Sequence, residues 1–169
     1  MDSSKIREAK AFCRQQKLDT MIAFFVDMRI HPGKNRFFVY QFTTNEILHT
    51  GLCCHGMGSQ SSATTPVFSN EKDSYCTSVG KYKLGARAYS HWGINIHYKM
   101  HGLDSTNTNA FSRIVVLHSY QQVPGHEIYP TPLPLGWSQG CPVISNELMT
   151  KLDGLLKNRK MPVMLWIYK

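Results

Sequence analysis

Thr20-Met21-Ile22-Ala23-Phe24-Phe25-Val26-Asp27 is a short run of β-branched and aromatic residues. A second such run, Arg36 to Phe42, follows the turn signal His31-Pro32-Gly33-Lys34-Asn35. Runs of this kind bounded by Pro, Gly and Asn read as strands joined by turns. The pattern continues: Thr43-Thr44-Asn45 leads into Ile47–His55, and strands are further expected at Trp92–Tyr98, Arg113–Ser119 and Met161–Tyr168. Helical spacing appears near the two ends. Ser4–Gln16 places Ile6, Ala9, Phe12 and Cys13 on one face. Asn146–Lys157 begins with Ser145 placed to cap it and Glu147 in its first turn. The expectation is a mostly β body over residues 20–169, with an N-terminal helix (residues 1–19) packed on it.

Two stretches read as irregular. Gly56–Asp73 is polar and rich in Gly, Ser and Thr, and a loop that long inside a compact domain is often functional. Tyr120–Ser138 carries Pro124, Pro130, Pro132 and Pro134, which exclude a helix or a central strand.

The chain has 169 residues, enough for one domain with a substantial core, and its hydrophobic share of 42% is ordinary for a folded protein. No apolar run approaches the roughly 20 residues of a membrane helix, so stable membrane insertion is not expected. Met1-Asp2-Ser3-Ser4 leads into a polar segment with no secretory core. The net charge of +8 favours polyanions, but it is scattered, with its densest group at Lys157, Arg159 and Lys160. No basic stripe interleaved with aromatics is present, and nucleic acid is not an expected partner. Five cysteines cannot all pair, and the adjacent Cys53 and Cys54 face opposite sides of a strand, so no disulfide framework is expected. Eight histidines raise the question of zinc. Without C-x-x-C or H-E-x-x-H, a metal is not expected.

The chemistry concentrates in Gly136-Trp137-Ser138-Gln139-Gly140-Cys141-Pro142. A cysteine in a Gly-flanked loop before a helix can expose its sulfur, and the Gly140 and Cys141 amides could face a developing oxyanion. Thiolate formation at neutral pH needs a base or a positive neighbour. His118, ending the apolar strand Ile114–Leu117 and 23 residues before Cys141, is the best candidate. Spacing alone leaves open that Cys141 is a buried small hydrophobe.

These segments together resemble the murein L,D-transpeptidase catalytic domain family, a branch of the YkuD-like cysteine enzymes. Asp27 with Arg36–Tyr40 is similar to its opening strands, and His55-Gly56-Met57-Gly58-Ser59 to its His-Gly loop. Phe68-Ser69-Asn70-Glu71 and Ser78-Val79-Gly80-Lys81-Tyr82 resemble its central motif, and Gly102-Leu103 its Gly-Leu. Arg113–His118 is similar to the histidine strand, and Ser138-Gln139-Gly140-Cys141-Pro142 to the S-x-G-C-P nucleophile loop. The resemblance implies a β-sandwich with flanking helices and a Cys141 thiolate attacking peptidoglycan stem peptides. It further implies His118 as base, oriented by the Ser119 carbonyl, Ser138 beside the thiol, no need of an organic cofactor, and a periplasmic or cell-wall location. Ser119 replaces the family's usual glycine, and Val143 stands where an arginine two residues after the cysteine is common. Arg87 and Arg113 are then possible carboxylate contacts. His55, with Gly56, either touches substrate or is a strand-end histidine bonded to backbone. Tyr82 either lines the donor site or sits in the core. A hydrolase using water as acceptor and a non-catalytic wall-binding module are the competing readings.

Overall fold

The computed structural model describes residues 2–58 and 60–169. It opens with α1 (Ser3–Gln15), whose first turn is capped by the Asp2 side chain accepting from the Ser4 N–H. The strands are β1 (Ile22–Asp27), β2 (Phe37–Gln41), β3 (Glu46–Gly51), β4 (Gly80–Tyr89), β5 (Ile96–Gly102), β6 (Val116–Ser119) and β7 (Val143–Ile144). Helix α2 (Asn146–Leu156) and β8 (Met164–Tyr168) complete the chain. Ser145 caps α2 by accepting from the Leu148 N–H, as the sequence indicated.

All eight strands belong to one sheet in the order β3-β2-β1-β8-β4-β5-β6-β7. The mostly β class with two helices is as expected; the layers are parts of one sheet that curls on itself. Two contacts produce the barrel-like form. Cys54, just beyond β3, bridges Val143 of β7, with the Cys54 N–H 2.8 Å from the Val143 carbonyl. Helix α2 touches both β3 and β6, near opposite ends of the strand order. Closure of this kind shields the edges that an open sheet would leave for aggregation.

Alternation along β1 explains the two sides. Ile22, Phe24 and Val26 join the enclosed core with Leu148, Met149 and Leu152 of α2. Ala23 and Phe25 face outward, where Ala9 and Cys13 of α1 cover them together with Trp166 and Tyr168 of β8. Both faces of β1 are therefore apolar because both are covered, which is why its sequence shows no alternation. Phe24 and Phe25 are fully buried, each contributing about 1.5–3 kcal/mol.

Four sequence expectations change. The strand expected from Arg113 begins only at Val116, because residues 111–114 form a turn with positive φ at Ile114. Strand β4 was not anticipated, because Gly80, Gly85 and a register shift between Leu84 and Arg87 interrupt its pattern. Trp92–Asn95 is the turn between β4 and β5 rather than strand, with positive φ at Gly93 and Asn95. The third anticipated strand stops at Gly51, and Leu52–His55 continues only as the bridge at Cys54. Ser59, the last residue of the His-Gly motif, lies outside the described residues.

Candidate active site

A pocket of about 450 Å³ opens where β6, the loop Gly136–Pro142 and the β4–β5 turn meet. Cys141 and His118 both line it, with Ser138 on the same wall. The parallel pairing of β6 with β7 sets His118 opposite Val143. Cys141, two residues before Val143, therefore comes beside Val116, and its sulfur accepts the Val116 N–H at 3.4 Å. The Ile114 carbonyl lies 3.9 Å from the same sulfur. In this arrangement the sulfur's hydrogen bonds go to the backbone of β6 and its approach, not to the imidazole. His118 stands two residues, roughly 7 Å, further along the strand.

His118 is fixed by its own chain. Nδ1 lies 3.0 Å from the Ser119 carbonyl oxygen, and since a carbonyl only accepts, Nδ1 carries the proton. Nε2 is left with its lone pair. Burial, with the facing His97 as a smaller contribution, holds the imidazole below its ordinary range, so it is neutral near pH 7. Burial likewise pushes the Cys141 thiol up, against the Val116 N–H and the nearby Arg113, which pull it down. The resting pair is thus thiol and neutral imidazole rather than thiolate and imidazolium.

The loop Gly136–Pro142 is braced by Ser138. Its hydroxyl donates to the Cys141 carbonyl at 2.6 Å and accepts the Gly140 N–H at 3.0 Å. This corrects the expectation for Gly140: its amide is already engaged and does not face an oxyanion, leaving the Cys141 N–H as the backbone candidate. Gly140 serves instead through its shape. It adopts φ +114°, and a β-carbon there would come within 2.7 Å of the Cys76 carbonyl.

Arg113 lies behind that loop rather than in the pocket. Nη1 donates to the Ser69 carbonyl at 2.9 Å, and Nη2 to the Cys76 carbonyl at 2.6 Å and to Ser74 Oγ at 3.3 Å. Arg87 is held by Asp153 of α2 at 2.7 Å. Neither arginine lines the pocket, so neither is placed to meet a substrate carboxylate there.

His55, Gly56 and Tyr82 are also away from the pocket wall. Arg36, fully buried, donates to the Cys53 carbonyl and, at 3.0 Å, to His55 Nδ1. A guanidinium has no acceptor, so His55 Nδ1 must accept and Nε2 carries the proton that goes to the Ser62 carbonyl at 2.8 Å. Both ring nitrogens are occupied, and the residue pins the loop. The Gly56 N–H donates to Thr77 Oγ1, and a β-carbon there would overlap the Tyr75 carbonyl. Tyr82 sits in the core, its hydroxyl bonded within the motif to the Ser78 carbonyl and hydroxyl. The resemblance motifs therefore divide. Some build the pocket; others build the loop that supports it.

The sequence reading passed over much of the pocket wall. Trp92 meets Tyr120 edge-on at 5.8 Å between centroids, and Tyr120 meets Trp137 at 5.5 Å. His97, register partner of His118 across β5 and β6, also faces in. Ile114 is 78% exposed at the rim with φ +59°, a left-handed conformation that a β-branched residue adopts only under strain. The Ser119 hydroxyl accepts the Ile94 N–H at 3.1 Å and so anchors the turn that carries Trp92. The hint available for these residues was aromatic density around Gly93 and Gly136; their convergence needed the strand order.

The profile of the family described as L,D-transpeptidase catalytic domain matches residues 3–168. Among proteins with curated descriptions none matches significantly. Two structures of the helical cell shape determining protein Pgp2 from Campylobacter jejuni, one a point mutant, are similar in fold. The mutant has a TM-score of 0.56 at 12% identity, over 88% of this chain and 47% of that one. The other has a TM-score of 0.51 at 12% identity, over 88% and 48%. An L,D-transpeptidase from Xylanimonas cellulosilytica matches with a TM-score of 0.46 at 12% identity, over 87% and 60%. The chain thus spans about half the length of the Pgp2 chains it resembles.

Proposed function

Because the chain belongs to the L,D-transpeptidase catalytic domain family, we propose that it is a cysteine acyltransferase acting on peptidoglycan stem peptides in the cell envelope. Cys141 is the nucleophile, His118 the base, and the Ser119 carbonyl the group that orients the base. The observation that carries this reading is the His118 Nδ1 bond to that carbonyl, which aims a lone pair from the wall of the pocket that holds the Cys141 sulfur.

The steps follow from the protonation states. Substrate in the pocket displaces the sulfur from the Val116 N–H, His118 Nε2 takes its proton, and Sγ adds to the carbonyl of the third stem residue. The Cys141 N–H stabilises the resulting oxyanion. Collapse forms the thioester and breaks the C–N bond to D-alanine, which leaves with the proton from His118. An amine, or water, then attacks the thioester, giving up its proton to the imidazole and returning the thiol. A base of this kind contributes about 10²–10⁴ in rate. No arginine or lysine lines the pocket among the described residues, so the +8 charge of the chain acts on the anionic wall as long-range attraction, not as a pocket contact.

Intact-mass measurement after exposure to a tetrapeptide stem tests the reading. The expected adduct is the tetrapeptide less D-alanine, absent in Cys141→Ala. An unmodified wild-type protein whose Cys141 still reacts with iodoacetamide overturns it. Product analysis separates the acceptors: dimers indicate an amine, tripeptides alone indicate water.

A further inference from the structure

The wall of the pocket facing Cys141 is made of flat aromatic rings and uncharged or weakly basic polar groups. Trp92, 54% exposed, and Tyr89, 66% exposed, stand at the rim on either side of Ser90-His91. The edge-to-face series Trp92–Tyr120–Trp137 carries the aromatic surface down to the nucleophile loop. The same lining includes Gln139, His91 and His97, groups that donate and accept hydrogen bonds. Among the described residues that line it there is no Lys, Arg, Asp or Glu.

This composition selects against several ligand classes. A carboxylate or phosphate resting on the Trp92–Tyr120–Trp137 stretch finds no counter-ion there to replace its lost hydration, so the stem peptide's own carboxylates belong at the open mouth of the pocket, in water. A purely aliphatic ligand would leave the amide and imidazoles of the lining unpaired. The ligand that satisfies both halves is an uncharged ring with an apolar C–H face and a polar edge. Aromatic faces, carrying the negative side of the quadrupole, attract such C–H faces. The platform is also preorganised. Gly93, at φ +60°, lies so close to Ser119 that a β-carbon would overlap it, and the Ile94 N–H bonds the Ser119 hydroxyl. The turn bearing Trp92 is therefore fastened to the residue whose carbonyl orients the base.

We propose that Trp92, with Tyr120 and Trp137, forms a subsite for a neutral N-acetylated amino-sugar ring, so that the enzyme engages the glycan to which its stem peptide is attached. This rests on the acyltransferase reading for its consequence in catalysis but not for binding itself.

Two measurements test it. In the first, an uncharged oligomer of N-acetylglucosamine is titrated into the wild-type protein and into Trp92→Ala while backbone amide NMR shifts are followed. Shifts at residues 89–95 and 137–139 that saturate in wild type and weaken in the variant are expected. Shifts absent, or unchanged in the variant, overturn the subsite. In the second, disaccharide-linked and free tetrapeptides are compared as donors to Cys141. The sugar should lower KM about two- to tenfold, the range of one ring–ring contact, and in Trp92→Ala the ratio of the two KM values should fall to about one. Equal KM values for the two donors overturn the subsite even if acylation proceeds. Sugar binding without any acylation keeps the subsite and removes the acyltransferase reading.

Discussion

Burial keeps the Cys141 thiol and the His118 imidazole in their neutral forms, and this has a measurable signature. Alkylation of Cys141 by iodoacetamide should be slow at pH 7 and climb as pH passes the ordinary thiol range near 8.5. A rate already high and flat from pH 6 to 9 would mean a preformed ion pair and contradict the geometry. His118→Ala should lower acyl transfer by about 10²–10⁴ while changing this alkylation little, since the sulfur is bonded to Val116 and not to the ring. Labelling should favour Cys141 over Cys13 and Cys53, whose thiols burial pushes up to about 12. Strain at the neighbouring Ile114 yields a second expectation. Ile114→Asn, at an exposed left-handed position, should stabilise the fold by about 1 kcal/mol in chemical denaturation; an unchanged midpoint would show that the conformation costs nothing. Cys141 and His118, which both line the pocket, could be singled out in the sequence because a Gly-flanked cysteine and a strand-end histidine are local signals. The engagement of the Gly140 amide and of His55 was not, since each depends on partners set by a fold that brackets them, Ser138 Oγ in one case and Arg36 with Ser62 in the other.

At the scale of elements, the β4–β5 turn and helix α2 decide how the site is held. Gly93→Ala combines an unfavourable φ with overlap on Ser119, so the turn must shift. Expected are a loss of about 1–2 kcal/mol and a drop in acylation larger than the loss of folded protein explains, because the Ser119 carbonyl moves with the turn. Circular dichroism melts paired with thioester rates check this, and a destabilised variant with a normal rate per folded molecule would uncouple turn from base. Helix α2 is tied to β5 by the Tyr98 hydroxyl, which donates to Asp153 at 2.7 Å. Asp153→Ala leaves that buried hydroxyl without an acceptor and should cost about 1–3 kcal/mol in urea unfolding without altering alkylation of Cys141. Strands β1, β2 and β8 were readable because each is a run of large apolar residues between clear turn signals. Strand β4 hid behind two glycines and a bulge, and the turn at Trp92–Asn95 was mistaken for strand because Trp92 and Ile94 carry β propensity while Gly93 and Asn95 supply the positive φ.

Across the whole molecule, curling one sheet around α2 leaves imidazoles in partly dry places, and their protonation then works against the fold. Burial is the leading cause that lowers His49, His55, His97, His101 and His118, with lysines adding to it at His49, His97 and His101. For each, the unfolded chain takes up a proton near pH 6.5 that the folded chain resists, so the unfolded state binds more protons and stability rises with pH. The contribution is complete above the unfolded value and is lost as pH falls through the depressed folded values. The lowered carboxylates Asp27 and Asp153 act in the same direction, but only below their ordinary range, outside this window. The melting temperature should therefore fall between pH 7.5 and pH 5, by about 2–4 °C for each kcal/mol lost in a chain of this size. His55 is the most informative member, because a proton on Nδ1 would face the buried Arg36 guanidinium at 3.0 Å. Glutamine at that position can accept from Arg36 and donate to Ser62 without titrating. His55→Gln should accordingly melt with a shallower dependence on pH than the wild type, with its Cys141 chemistry retained. Parallel slopes in the two proteins would show that the loop held by His55 takes no part in acid unfolding, and a wild-type melting point flat over this range would remove the argument for all five imidazoles.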